Sequence, residues 1–152
     1  MLPGEVTEGT PERWITQDEY LKARKQDETI HGILHTHPEA KTVFSESNIG
    51  FFLYFNDAFH VCSDSQGNYL LMLRTEKTDL SREGIFEEAV ALYTIVARNA
   101  TDRYVIEHDM DYTDNSTEAI EHGQFEAMKA VCKKYNIVLY IVKRGKAATK
   151  VR

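Results

Sequence analysis

Apolar residues recur along the chain in short runs whose pattern is typical of β-strands. The run "TIHGILHTH", Thr29 to His37, is rich in apolar and β-branched residues and predicts a strand that Pro38 ends. The runs "AFHVCSD" and "YLLMLRTE" flank the turn sequence "SQGN" and predict a hairpin. Near the C-terminal end, "RYVIEH" predicts a short strand and "IVLYIVKR" a longer one.

Other segments have the spacing of amphipathic helices. Ser45 has the side chain of an N-cap and precedes "ESNIGFFLYFND", which predicts a helix over about 45–56. Further helices are predicted over 16–26, 81–99 and 117–135, and the helix over 81–99 has Ile85, Ala89, Leu92 and Val96 on one face. Strands and helices that alternate in this way predict a single α/β (α+β) domain over residues 1–152, with a mixed β-sheet flanked by helices.

Charge and composition narrow the classes of partner. The 152 residues carry a formal net charge of -6, so we expect no nucleic-acid binding, which depends on clustered Lys and Arg. The basic C-terminal residues 144–152 are expected to form a solvated tail. No apolar run approaches the ~20 residues of a membrane span. Cys62 and Cys132 lie in no ligand spacing and predict buried thiols of a reducing compartment, with a disulfide between them as the alternative. We therefore expect a cytoplasmic protein, and a domain of a secreted effector is the alternative location.

The residues with the clearest chemical pattern are His35 and His37. In a strand, side chains two positions apart share a face, so both imidazoles project the same way and could bind one zinc ion. A third ligand must come from elsewhere, and Asn48 on the first turn of the helix behind Ser45 is the candidate. The alternative is that an isolated His-x-His pair consists of two surface histidines without a metal.

The segment from His35 to Asn48 resembles the signature of the JAMM or MPN-plus zinc metalloproteases, also called the JAB domain family. His35, Thr36, His37 and Pro38 are followed by six residues, "EAKTVF", then by Ser45, "ES" and Asn48. The spacing matches the family pattern without a gap, and the resemblance covers about residues 30–74. It implies a JAB/MPN-like fold, with 1–29 and 144–152 peripheral, a zinc cofactor and a peptide or protein substrate.

The same resemblance implies the role of each site residue. His35, His37 and Asn48 would ligate zinc, and the Ser45 hydroxyl would donate to the oxyanion of the tetrahedral intermediate. The family places aspartate where this chain has Asn48, so a weaker zinc site is expected. The family glutamate that accepts a proton from the attacking water comes from an upstream strand. Here the candidates are Glu5 and Glu8, and Glu5 is preferred because it opens the only β-like stretch there.

Two functions follow from this pattern. The first is a zinc-dependent peptidase or isopeptidase, for which a domain of a bacterial or phage effector is one setting. The second is a catalytically impaired JAB/MPN-fold binding or assembly module. The intact histidine pair and Ser45 favour the enzyme, whereas Asn48 and the unassigned glutamate favour the module. The remaining histidines, His60 and His108 among them, are expected to have ordinary structural roles.

Overall fold

A five-stranded mixed sheet forms one layer of the protein. The computed structural model describes residues 32–37, 43–79, 82–110 and 117–151. The strands are β1 (Gly32–Thr36), β2 (Phe59–Ser63), β3 (Tyr69–Leu73), β4 (Val138–Val142) and β5 (Thr149–Lys150), and they lie side by side in that order. β1 and β2 are parallel, and every later pair is antiparallel.

In the described part of the chain, three helices supply the second layer: α1 (Glu46–Tyr54), α2 (Ile85–Glu107) and α3 (Thr117–Lys134). α1 connects the parallel strands β1 and β2, and α2 and α3 follow the β2–β3 hairpin. The predicted mixed α/β architecture is therefore confirmed, including the strand through His35, the hairpin and the helix that begins after Ser45. The predicted helix over 16–26 lies outside the described residues. Among the described helices, none combines the length and apolar character that a bilayer span requires.

The core lies between the helices and one face of the sheet. Alternate strand residues such as Cys62, Leu70, Met72 and Leu139 point into it because successive side chains of a strand face opposite ways. The helices contribute a set of fully buried apolar residues that includes Ile49, Phe52, Leu53, Ala127, Met128 and Val131.

Two glycines allow the helices to approach closely. A Cβ on Gly50 of α1 would lie 2.7 Å from the Phe86 ring of α2. A Cβ on Gly123 of α3 would lie 2.0 Å from Thr101 Oγ1 of α2. Only glycine fits at these crossings without displacing a neighbour, and this close packing fixes where α1 and α3 begin relative to the sheet.

Two predictions about the second half of the chain are wrong. Arg103–His108 is not a strand but the last turns of α2, where Tyr104 stacks on His108 one helical turn later at 3.9 Å between ring centroids. The Tyr104 hydroxyl also donates to Glu118 of α3 at 2.7 Å, so packing against α3 overrides the local β propensity. The C-terminal tail is exposed as expected, but Thr149–Lys150 pairs with β4 and so does not remain free.

Candidate metal centre

The two histidines of the His-x-His pair lie side by side at the end of β1. The His37 N–H donates to the Ser63 carbonyl at 2.7 Å, which extends the β1–β2 pairing by one residue beyond Thr36. His35 and His37 therefore project from the same face, as predicted, and their Nε2 atoms are 3.2 Å apart. Two nitrogen ligands of a tetrahedral zinc ion, each at ~2.05 Å, would be about 3.3 Å apart. The observed separation fits that arrangement.

The parallel strand beside β1 adds Cys62 to this pair. Cys62 is directly opposite His35 in the β1–β2 register, and its side chain faces the core. One ligand atom from each of His35, His37 and Cys62 falls within 4.8 Å of the other two. The sequence pattern predicts Cys62 only as a buried thiol and not as a ligand. In the strand sequence "FHVCS", His60 and Cys62 are two positions apart and therefore share the face that points into the core. This spacing is the sequence feature that could have indicated Cys62 as a ligand.

Burial sets the charge states of His35 and Cys62. Burial, and next the neighbouring His37, lower the pKa of His35 to about 4, so its imidazole is neutral at pH 7. Neutral imidazole is the form that ligates a metal. Burial, and next the charge of Asp64, raise the pKa of Cys62 to about 12, so the thiol carries its proton at pH 7 without an ion. A metal that binds Cys62 must displace this proton.

Aromatic rings enclose His35 on its inner side. The Phe44 ring lies 6.1 Å from it and the His60 ring 5.1 Å, measured between centroids. Nδ1 of His35 is buried and has no hydrogen-bond partner among the described residues. Phe44 is fixed in turn by Tyr93 of α2, whose hydroxyl donates to the Phe44 carbonyl at 2.9 Å. The inner side of the His35 ring therefore contacts mainly aromatic side chains, and His37 lies on its other side.

Ser45 and Asn48 form the N-terminal cap of α1. Ser45 Oγ accepts the Asn48 N–H at 3.2 Å, which confirms the predicted N-cap. Asn48 Oδ1 accepts both the Ser45 N–H at 3.1 Å and the Ser45 hydroxyl at 3.0 Å, and this closes a capping box. The amide oxygen that the sequence analysis assigned to zinc thus already has two donors. The assignment of Asn48 as a ligand stays a prediction.

A pocket of about 260 Å³ opens beside the histidine pair. His37, Val43 and Ser45 form one wall, and the first turns of α3 form the other through Thr117, Ile120, Glu121 and Gln124. These four positions follow the i, i+3, i+4, i+7 spacing of a single helix face. The predicted ligand His37 and the predicted oxyanion donor Ser45 therefore line one accessible space.

The remaining candidates lie elsewhere. Glu5 and Glu8, predicted as alternatives for the proton acceptor, lie outside the described residues. His60 is buried between Phe44 and Phe52, with ring centroids 5.3 and 6.4 Å away, where it contributes to the core. His108 is exposed at the end of α2 and does not contribute to the candidate centre.

The arrangement offers two imidazole nitrogens and one sulfur, a donor set that suits zinc and related transition metals. The sulfur lies within 4.8 Å of each histidine ligand atom, and closing these distances to the ~3.6 Å of a tetrahedral N/S site requires a shift of about 1 Å at most. The structure thus supports a possible metal-binding group formed by His35, His37 and Cys62. Comparison of the chain with protein-family models, curated proteins and solved structures gave no match.

Proposed function

We propose that this protein binds one zinc ion through His35, His37 and Cys62 and hydrolyses a peptide or isopeptide bond in the adjoining pocket. The observation that carries the proposal is the 3.2 Å separation of the two Nε2 atoms at the edge of a pocket that also contains Ser45. Two imidazoles at ligand distance, next to a hydroxyl and an accessible space, are the elements of a metallohydrolase site.

The choice of Cys62 over Asn48 as third ligand rests on their contacts. The Cys62 sulfur lies within 4.8 Å of both histidine ligand atoms, whereas the Asn48 oxygen is occupied by two hydrogen bonds from Ser45. A thiolate also supplies the negative charge that the neutral amide lacks. Cys62 on β2 therefore takes the place that the family gives to an aspartate on α1.

Each protein group then has a defined task. His35 and His37 ligate in their neutral form, and Cys62 gives up its proton when the ion binds. Zinc at these ligands supplies Lewis acidity, which polarises the substrate carbonyl and makes the attacking water more acidic. The Ser45 hydroxyl, which donates to Asn48 Oδ1 at 3.0 Å, turns toward the pocket to donate to the developing oxyanion.

The N-terminus of α1 supports the same task. Its unpaired backbone N–H groups create a partial positive charge of about half an electronic charge at that end of the helix. Because Ser45 caps this end and also lines the pocket, negative charge that develops on the substrate lies near a favourable dipole. The pocket volume of about 260 Å³ suits one or two side chains of an extended peptide rather than a large ligand.

One observation favours the second function, a metal-stabilised binding module. Cys62 has no exposed surface, and closed, buried ligand sets are typical of structural zinc sites. In that case the ion would hold β1 against β2 and the pocket would bind a peptide without cleaving it. The two functions share the same ligands and differ in whether substrate reaches the ion.

Metal analysis of the purified full-length chain tests the proposal first. We expect about one zinc per chain by inductively coupled plasma mass spectrometry, lost in the double variant His35→Ala/His37→Ala and retained in the control His108→Ala. The same donor set also forms blue-copper sites, so an intensely blue, copper-loaded protein would reject zinc. Cleavage of peptide or isopeptide libraries that stops on chelation and returns with zinc supports the enzyme. Full zinc content with no cleavage supports the binding module.

A further inference from the structure

Glu121 on α3 lies across the pocket from His37 and Ser45. It lines the pocket together with Ile120 and Gln124, and it is the one carboxylate among the described residues that do so. No Lys or Arg lines that space in the described part of the chain. A carboxylate and a candidate metal ligand thus face one accessible volume without a competing cation.

The contacts of Glu121 distinguish it from the other acidic residues of α3. Glu118 accepts a hydrogen bond from Tyr104 at 2.7 Å, and Glu126 pairs with Lys129 at 2.5 Å. Glu121 is half-buried, and within the described ranges it has neither an ion pair nor a hydrogen bond to another residue. Its carboxylate is therefore available to a group that enters the pocket. Half-burial also limits the number of its rotamers that point into solvent.

We infer that Glu121 is the residue that accepts and returns the proton during hydrolysis, an inference that rests on the proposed function. The Glu121 carboxylate takes one proton from water while the water oxygen forms a bond to the carbonyl carbon of the substrate. The carbon–nitrogen bond then breaks, and the same proton passes to the departing amine nitrogen. The products are a carboxylic acid and an amine, and Glu121 ends in its initial ionised state.

This assignment moves the acceptor from the N-terminal region to the second half of the chain. The sequence resemblance implies Glu5 or Glu8, because the family supplies its glutamate from an upstream strand. In this chain the packing of α3 against α1 and α2 brings a different carboxylate to the same pocket. Gly123, two residues after Glu121, permits the close helix approach that places α3 there.

The test uses acetohydroxamate, which chelates a zinc ion through two oxygens and whose hydroxyl proton needs an acceptor beside the ion. Its affinity for the zinc-loaded, full-length chain is measured by titration calorimetry, so the readout does not require turnover. We expect Glu121→Gln to bind zinc as tightly as wild type and to bind acetohydroxamate about 10-fold more weakly. Glu121→Asp, which keeps the charge on a shorter side chain, should fall between the two.

The matched control is Glu87→Gln, at an exposed position of α2 away from the pocket, and it should bind acetohydroxamate like wild type. Glu5→Gln and Glu8→Gln test the two competing assignments of the proton acceptor. If wild type hydrolyses a peptide, Glu121→Gln should lower kcat by about 100-fold or more with little change in KM.

The possible outcomes separate this inference from the proposed function. Equal acetohydroxamate affinity in wild type and Glu121→Gln overturns the inference and leaves the metal site intact. Zinc affinity that falls in Glu121→Gln makes the residue a ligand and also overturns its role in proton transfer. A loss in Glu5→Gln or Glu8→Gln instead reassigns the role to that residue. A wild-type chain that binds no zinc rejects the proposed function, and this inference with it.

Discussion

Replacing Cys62 by Ser tests whether the third ligand is the thiol on β2 or the amide on α1. At pH 7.5, ionising the Cys62 thiol by itself costs roughly 6 kcal/mol, because burial raises its pKa to about 12. Zinc can recover this cost only by forming a bond to the sulfur, and the displaced proton then appears in solution. Binding through Cys62 should therefore release one proton per ion, and the zinc affinity should rise about 10-fold per pH unit between pH 7.5 and 8.5.

The assay is zinc titration calorimetry in two buffers of different ionisation enthalpy, which counts the protons released. Burial lowers the pKa of His35 to about 4, so this imidazole is already neutral at pH 7.5 and adds no proton to the count. We expect Cys62→Ser to abolish the release and to weaken binding by about 100-fold, equivalent to about 2.7 kcal/mol. Cys132→Ser, at the other buried cysteine, is the matched control and should retain both the affinity and the proton release.

Asn48→Asp separates the two assignments further. If Asn48 only caps α1, an aspartate there accepts the same backbone hydrogen bond, and zinc affinity changes by less than about threefold. If Asn48 ligates, the new carboxylate should tighten binding by 10-fold or more. Three results together would refute the assignment of Cys62 and restore that of Asn48. Zinc would bind without proton release, its affinity would be unchanged in Cys62→Ser, and its affinity would rise in Asn48→Asp.

Three further predictions concern stability. The pKa of His35 is about 4 in the folded chain and ~6.5 in the unfolded chain, so the unfolded chain binds more protons between these pH values. The free energy of unfolding of the metal-free protein should therefore fall by up to about 3 kcal/mol as the pH falls from 7 to 4. Urea melts of wild type and His35→Asn check this, and equal pH slopes in the two proteins contradict it. Gly123→Ala places a Cβ 2.0 Å from Thr101 Oγ1 and should lower the free energy of unfolding by about 2 kcal/mol or more. The midpoint of urea unfolding measures this loss, and an unchanged midpoint shows that α2 and α3 can separate at this crossing. Ser45→Ala removes the cap of α1 and should lower the free energy of unfolding by about 1 kcal/mol, which calorimetry reads as a fall in Tm of about 2–4 °C. Ser45→Asp keeps a capping oxygen and should retain most of the stability. Equal losses in both variants argue against a cap.

Features that depend on neighbours in the chain could be predicted from the sequence. The shared face of His35 and His37 follows from the two-residue period of a strand, and Ser45 as N-cap follows from side-chain chemistry at a helix start. The hairpin and the helices through Ile49, Ala89 and Ala127 follow from apolar periodicity over one or a few turns. Zinc as the metal, the JAB/MPN-like resemblance and a peptide substrate remain predictions, because no match to a known protein tests them.

The strand predicted for Arg103–His108 shows where local reasoning fails. Val105 and Ile106 favour a strand, but the segment continues α2 for two more turns. Val105 is buried against the core, while Ile106 is 67% exposed. Tyr104 contacts α3 only when this segment is helical. The intrinsic preference of Val105 and Ile106 for a strand is only about a few tenths of a kcal/mol per residue, and these contacts outweigh it.

The sequence by itself thus established the two histidines, the serine and their order along the chain, since a strand period and a helix cap require only adjacent residues. The tertiary structure alone brought Cys62 beside His35 and Glu121 to the pocket of His37. Cys62 reaches the pair through the parallel register of β1 and β2, and Glu121 through the packing of α3 on α2 at Gly123. Strand register and helix crossing are set by the packing of the whole core. Cys62 is 27 positions from His35 and Glu121 is 84 positions from His37, so the neighbouring sequence of either residue does not indicate these contacts.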